Sequence, residues 1–368
     1  MIRLFWLCSL LLLPALRAQA QEAAEPSSTV FDSVAIVHYQ AGYKLLQAQN
    51  FRNAAAEFEQ AVAAAPTYGD AFYALGKVYR ALNEYDKAIK AYETAKNLPL
   101  SSQVKGNPSK ELSVVYDKFA RKLYGQRKYQ EAVTMCDKAL ELEPAKPEVY
   151  YVKGLSHFRF GALEEARKAY MQELQINPSY AQAHKAIGDL YRQNRSYSLA
   201  IEAYKKAIAL DSTLTDAWGG VARSQMDNQS LDEALKTLTR AVVLDPKYEE
   251  GHLLMGVTLN RLGRQQDAIA PLRQAIALDG KDPEAHFRLA EAYYALGDYR
   301  NALSTAQSAV QYKKDNRPPG KAAEATIADS YLKLGQKDQA RLWYQKALDD
   351  PLFKDYCAHQ LEELAKAK

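Results

Sequence analysis

Three cysteines in 368 residues are too few to staple a fold of this length, so packing must hold it together. Only 17 glycines and 14 prolines punctuate the chain, fewer than the frequent tight turns of a sheet-rich protein would demand. No run of 18 apolar residues occurs, which removes a membrane-spanning helix from the expectations. Nor does one sign of charge dominate. Lys and Arg number 48 against 44 Asp and Glu, and that balance gives no electrostatic footprint for a nucleic acid. What is present is Ala, Leu, Lys, Glu, Gln and Tyr in a chain that is 48% hydrophobic and 25% charged, the usage of helix joined to helix by short turns.

Residues 1–20 have the pattern of an export signal. Arg3 supplies the positive start, Leu4 to Leu13 the apolar run, and Ala18-Gln19-Ala20 a small-x-small site, so cleavage is expected before Gln21. Removing Arg3 and Arg17 leaves 46 basic against 44 acidic residues, a net charge of +2. Cys8 lacks the small residues before it that a lipid-anchored precursor would carry. The expected location is the periplasm or the outside of the cell, with a short segment over 21–34 before the first structured element.

Ala recurs at 54, 88, 132, 166, 200, 234, 268, 302 and 340, in steps of 34, 44, 34, 34, 34, 34, 34 and 38. A second series lies seven residues behind, at 61, 95, 139, 173, 207, 241, 275, 309 and 347, all Ala except Glu173. Nine units of 34 positions therefore begin at 35, 69, 113, 147, 181, 215, 249, 283 and 321. Positions 4, 7, 8 and 11, as in Phe72, Leu75, Gly76 and Tyr79, form the stripe of one amphipathic helix. Positions 17, 20, 24 and 27, as in Tyr197, Ala200, Tyr204 and Ala207, form that of a second. Gly161, Gly263, Gly297 and Gly335 at position 15 suit the turn between them, and Pro66, Pro144, Pro178 and Pro246 at position 32 stop the second helix. Small residues at 8, 20 and 27 let helix axes approach, and larger ones at 4, 11 and 24 fill the layers.

The succession Phe72, Leu75, Gly76, Tyr79, Ala88, Tyr92, Ala95 resembles the tetratricopeptide repeat family, and the likeness extends over 35–352. It implies an all-α, right-handed α-α superhelix of about nine helix pairs that serves as an interaction scaffold, and it names no ligand. Repeats one and two are expected over 35–102, a loop over 103–112, repeats three to nine over 113–352, and a capping helix over 353–368 with Tyr356, Leu361 and Leu364 facing inward. Four further residues around Asn316–Pro319 are inserted before repeat nine, and Pro271 is expected to kink its helix slightly.

Candidate chemistry is sparse. His38, His184, His252 and His286 all occupy position 4, an aromatic core position of the family, about a helix diameter from one repeat to the next, so packing rather than metal ligation is expected. Cys136 at position 24 reads as a small apolar residue. Gly320-Lys321 lacks the remainder of a phosphate loop. Repeats fill the chain, which leaves no catalytic residues and no cofactor to nominate, and a protein or peptide ligand is the expected partner.

In the resembled family a ligand runs along the face made by the first helices, where positions 2, 5, 9 and 12 form one stripe. Tyr39, Tyr43, Tyr73, Tyr124, Tyr151 and Phe158 stand there, and tyrosine at positions 5 and 9 answers no packing need visible in the repeat. Lys77, Arg80, Arg121 and Arg192, with Arg159, Arg223, Arg261 and Arg288, extend a basic rail suited to acidic ligands. Acids at position 2 with bases later in the helix also simply complement the helix dipole. Lys185 is followed by Asp189 rather than Asn, so the carboxylate clamp of chaperone-binding relatives is not reproduced. A scaffold in envelope assembly is the leading reading. Self-association through another face and binding of polysaccharide or cell-wall fragments remain alternatives.

Overall fold

The computed structural model describes residues 33–313 and 320–366. The expected signal segment and the insertion at 316–319 lie outside them. All regular structure among the described residues is helical, in nineteen helices with no strand. They are α1 (Ser33–Gln47), α2 (Phe51–Ala64), α3 (Gly69–Ala81), α4 (Tyr85–Lys96), α5 (Pro108–Gly125), α6 (Tyr129–Leu142), α7 (Pro147–Phe160), α8 (Leu163–Ile176), α9 (Ala181–Gln193) and α10 (Tyr197–Leu210). The remainder are α11 (Thr215–Asp227), α12 (Leu231–Leu244), α13 (Glu249–Arg261), α14 (Gln265–Leu278), α15 (Pro283–Ala295), α16 (Tyr299–Tyr312), α17 (Gly320–Lys333), α18 (Lys337–Ala347) and α19 (Lys354–Lys366). Odd-numbered α1 to α17 are the first helices of the nine repeats, and even-numbered α2 to α18 the second. The chain forms two compact units, 33–122 with 137–144 and 123–136 with 145–366.

The turn within each repeat is the same device nine times. Position 15 has positive φ throughout, at Gln49, Asn83, Arg127, Arg195 and Gln229 as well as at Gly161, Gly263, Gly297 and Gly335. The next residue donates its N–H to the carbonyl five residues back, as in Ser196 to Tyr191 at 2.8 Å and Arg264 to Leu259 at 2.9 Å, which satisfies a helix-end carbonyl and reverses the chain. Glycine accounts for four of these turns. The other five side chains accept a left-handed backbone because the paired helices fix its course.

The small-residue register is the core. Ala at position 20 is fully buried in all nine repeats, and position 27 is at most 1% exposed in every one, including at Glu173. Position 24 carries Phe58, Tyr92, Cys136, Tyr170, Tyr204, Leu238, Leu272, Ala306 and Tyr344, all buried. Glycine at position 8 accepts the ring or branched chain opposite it: Gly76 meets Tyr92, Gly188 meets Tyr204 and Gly256 meets Leu272 so closely that no Cβ fits. Within the second unit, Leu259, Ala268, Leu272, Leu289, Ala292, Tyr293 and Ala302 form one cluster spanning repeats seven and eight. Burying a side chain such as Leu272 is worth about 1.5–3 kcal/mol.

Position 4 has a polar task besides packing. The Nε2–H of His184, His252 and His286 donates to the carbonyls of Pro178, Pro246 and Gly280, each at 3.1 Å, and Trp218 Nε1–H donates to Ser212 O at 3.0 Å. In all four the acceptor is position 32 of the preceding repeat. Indole can only donate, and a carbonyl can only accept, so the rings share one role: they satisfy the carbonyl that the end of each second helix leaves open.

Several local expectations are revised. The segment expected as a loop over 103–112 is helical from Pro108, because Asn107 Oδ1 accepts the Ser109 N–H at 2.9 Å and proline suits the first helical turn. Pro271, expected to bend its helix slightly, lies buried inside α14, which continues through it from Gln265 to Leu278. In α19 Cys357 and Leu364 are buried and Leu361 packs against the same cluster, as expected of Leu361 and Leu364. Tyr356 instead remains 43% exposed and donates from its hydroxyl to Asp329 at 2.8 Å.

Candidate functional site

In the first unit the expected aromatic stripe is largely consumed by packing. Tyr39 lies 5.0 Å from Tyr68, 5.8 Å from Phe58 and 6.3 Å from Tyr43, centroid to centroid. Burial, then the Asp70 charge, pushes its phenol up to about 12. Tyr43 keeps 47% of its surface exposed. Tyr73 is a correction: expected in the open, it is 6% exposed. Its ring meets the edge of Tyr92 at 5.7 Å, and the loop carrying Gly106 crosses so close to its hydroxyl that a Cβ there has no room. Asp70 holds that loop down by accepting Ser101 N–H at 2.8 Å and the Ser101 hydroxyl. Glu111 accepts from Tyr73 at 3.4 Å and from Arg80 at 2.7 Å. Lys77 stays exposed, with Nζ 5.8 Å above the Tyr73 ring, and exposed Arg121 pairs with Asp117 at 2.9 Å.

In the second unit Tyr124 packs 5.5 Å from Tyr129 and accepts from Arg159 Nε at 3.4 Å. Tyr151 is half-buried, edge-on to Tyr180 at 5.2 Å and 5.8 Å from Tyr170, and burial pushes its phenol far up. Tyrosine at position 5 thus has a packing need after all. Its partner at position 34, Tyr68 or Tyr180, comes from the far end of the same repeat, and in repeat six Gly219 stands at position 5 and Tyr248 fills its space. Phe158 is half-buried against the cluster of Ala166, Tyr170 and Leu190.

The basic rail is mostly neutralised in place. Arg192 faces Asp227 at 3.9 Å, Arg223 pairs with Glu250, and Arg288 binds Glu284 at 2.7 Å and Glu291 at 2.9 Å. Arg261 donates to Met226 O at 3.1 Å and Gln229 Oε1 at 3.3 Å. The acids are ion-pair partners, several from the adjoining repeat, and a carboxylate ligand would have to displace them. Such part-exposed pairs are individually worth about 0–1 kcal/mol, so displacement is possible but confers little selectivity for charge.

The most ligand-ready geometry on this face belongs to a residue outside the aromatic and basic candidates. Asn260 occupies position 12, as do Tyr124, Phe158 and Arg192 in the same unit. Its Nδ2 donates to Arg288 O at 2.9 Å, while its Oδ1 is shielded from bulk water and has no partner. Asn260 lines a cleft of about 460 Å³ with Val257, Arg261, Gln265, Arg288 and Glu291. A buried acceptor without a donor costs about 1–3 kcal/mol, a cost that a bound N–H removes. The signal in the sequence was an amide on the stripe. Position 12 varies from repeat to repeat, so the repeat pattern does not single it out.

Among the described residues no three of His, Cys, Asp and Glu group as metal ligands, and no helix is long and apolar enough to cross a membrane.

Residues 120–318 match the sequence model of the Cilia and flagella-associated protein 70 C-terminal domain, and 39–102 and 287–352 match that of a tetratricopeptide repeat. Tetratricopeptide repeat protein 16 of Macaca fascicularis is 30% identical over 115 residues, 31% of this chain and 13% of that protein. The tetratricopeptide repeat and J domain-containing co-chaperone DNJ1 of Cryptococcus neoformans is 32% identical over 87 residues, 24% of this chain and 17% of that one. The chain thus spans only a small part of the length of these curated relatives. Among solved structures, pilF of Pseudomonas aeruginosa superposes with a TM-score of 0.51 at 20% identity, covering 61% of this chain and 99% of that one. The C-terminal part of a TPR repeat-containing protein from Cytophaga hutchinsonii gives 0.52 at 16%, covering 66% and 98%. These two likenesses establish the fold alone.

Proposed function

The chain belongs to the tetratricopeptide repeat family, and we propose that it is an exported, non-catalytic scaffold that holds an extended segment of a partner protein against the first helices of its repeats. The observation that carries the reading is Asn260, a residue that lines the cleft and whose buried Oδ1 lacks a partner. An extended peptide presents backbone N–H groups at regular spacing, and an asparagine whose amide nitrogen is already committed offers its oxygen to one of them. Around it, Arg261 and Arg288 contribute apolar stems and donors already held in place, and Tyr124, Phe158 and Arg192 continue the same helix face within the second unit. In the first unit Tyr43 and Lys77, both at position 9, are exposed.

Export rests on the pattern of residues 1–20, and a role in envelope assembly follows from combining that location with a binding scaffold. Mass analysis of the protein purified from the envelope fraction tests the first part: a polypeptide beginning at Gln21 supports it, and one retaining Met1 contradicts it. Binding is tested by selecting random peptides on the full chain and re-measuring the selected peptides on Asn260→Ala. Affinity should fall about tenfold, the worth of one well-placed hydrogen bond to a buried acceptor. Undiminished binding to a variant with native helical content removes Asn260 from the site.

A further inference from the structure

A second site lies among the second helices, away from the Asn260 cleft. Between α10, the start of α11 and α12 there is a cavity of about 630 Å³, within the size range of small-ligand pockets. Its walls are apolar: Ile208, the indole of Trp218, Val221 and Leu244, the last still 54% exposed. Three cations, Lys205, Lys236 and Arg240, share the rest of the lining with Ala209, Ser212 and Thr237, and no carboxylate is among them. None of the three makes an ion pair. Even Asp232 and Glu233, one turn from Lys236, leave it unpaired, in contrast to Arg192, Arg223 and Arg288 in the first helices of this unit, each of which faces a carboxylate.

The guanidinium of Arg240 lies 5.7 Å from the centre of the Trp218 ring. That ring is fixed by its N–H bond to Ser212 O and is 8% exposed. The indole thereby orients a fork of donors at the edge of an apolar floor, without a carboxylate to saturate them. Cations left unpaired beside an apolar cavity are complementary to a molecule with both properties.

We propose that this cavity binds a hydrophobic carboxylate, an acyl or aryl group ending in one carboxylate. The apolar body lies against Ile208, Trp218 and Leu244, and the carboxylate accepts from Arg240, with Lys205 and Lys236 supplying the surrounding positive charge. Two sources share this chemistry, a free organic acid and the C-terminal residue of a polypeptide.

The test uses the full chain with Trp6→Phe and Trp343→Phe, so that Trp218 is the single indole. Octanoate should change Trp218 emission saturably, and neutral octanamide should bind about tenfold more weakly, as expected for loss of a charge-assisted contact. Arg240→Gln with Lys236→Gln should remove the preference for octanoate while leaving the octanamide response. Both side chains are exposed, so the fold is not at risk, and helical content checks it. Equal responses to octanoate and octanamide, an unchanged preference in the double variant, or no response to either overturn the proposal. A tetrapeptide ending in leucine with a free carboxylate separates the sources. Binding tighter than octanoate, and lost on amidation, assigns the site to a chain end; weaker binding assigns it to free acids.

Discussion

The ring of Tyr204 lies over Gly188, where a Cβ would fall 2.7 Å from ring carbons, and Gly220 of the next repeat meets the same ring, where a Cβ would fall 2.5 Å away. One aromatic is thus accommodated by two residues without side chains, and this contact sets how near α9 and α11 come to α10. Gly188→Ala adds a methyl group where there is no space. It should lower unfolding stability by about 1–3 kcal/mol, the usual range for overpacking, measured by denaturant titration against the wild type. Pairing it with Tyr204→Leu should recover part of the loss.

Arg195 holds a positive φ of 57° with an exposed side chain. Glycine reaches this conformation without the Cβ penalty, although it gains freedom in the unfolded chain. Arg195→Gly should therefore raise the unfolding midpoint, by about 0.5–1 kcal/mol in free energy. Gly297→Ala, at φ 78°, should lower it by a similar amount.

Glu173 stands where the other eight repeats bury alanine; it is 1% exposed, and its Oε2 has no partner. Burial first, then the nearby Glu148 charge, raises its carboxyl from 4.5 to about 7. The folded state therefore retains a proton that the unfolded chain has released. Its contribution is most favourable below about 4.5, declines as pH rises to about 7, and is flat above, a loss of about 3 kcal/mol at most. Glu173→Ala should stabilise the protein at pH 8 and flatten this slope, seen as unfolding midpoints across pH 4 to 8. A slope that survives the substitution would assign the effect to other groups.

His252 donates to Pro246 O at 3.1 Å, as Trp218 does to Ser212 O. His252→Leu should cost about 1 kcal/mol by leaving that carbonyl open, and His252→Trp should restore most of it, because indole keeps the donor. Equal stability of the two variants would reduce position 4 to packing alone.

Much of this was legible in the sequence because the repeat is a steric rule. Alanine at position 20, the bulky chain at 24 and glycine at 8 are local choices that recur, and they give the helix pairs and their buried faces directly. What was not legible depends on contacts distant in sequence. Tyr73 disappears beneath a loop pinned by Asp70 and Ser101. Tyr39 and Tyr151 find their partners at position 34. Arg223 meets an acid from the adjoining repeat. Five turns adopt positive φ without glycine, since the helices on either side leave the chain no other course. Asn260 carried no signal beyond its place on a variable stripe.

The central claim, that a partner segment lies along the first helices, is tested most directly by amide hydrogen exchange on the full chain, with and without a peptide selected for binding. Slowed exchange is expected in α13 and α15, which carry Asn260 and Arg288, and at the start of α14 beside Gln265, with α12 and the rest of α14 unchanged and the slowing abolished in Asn260→Ala. Protection confined to α12 or to α14 beyond its first turn, or unaltered by the substitution, would contradict it.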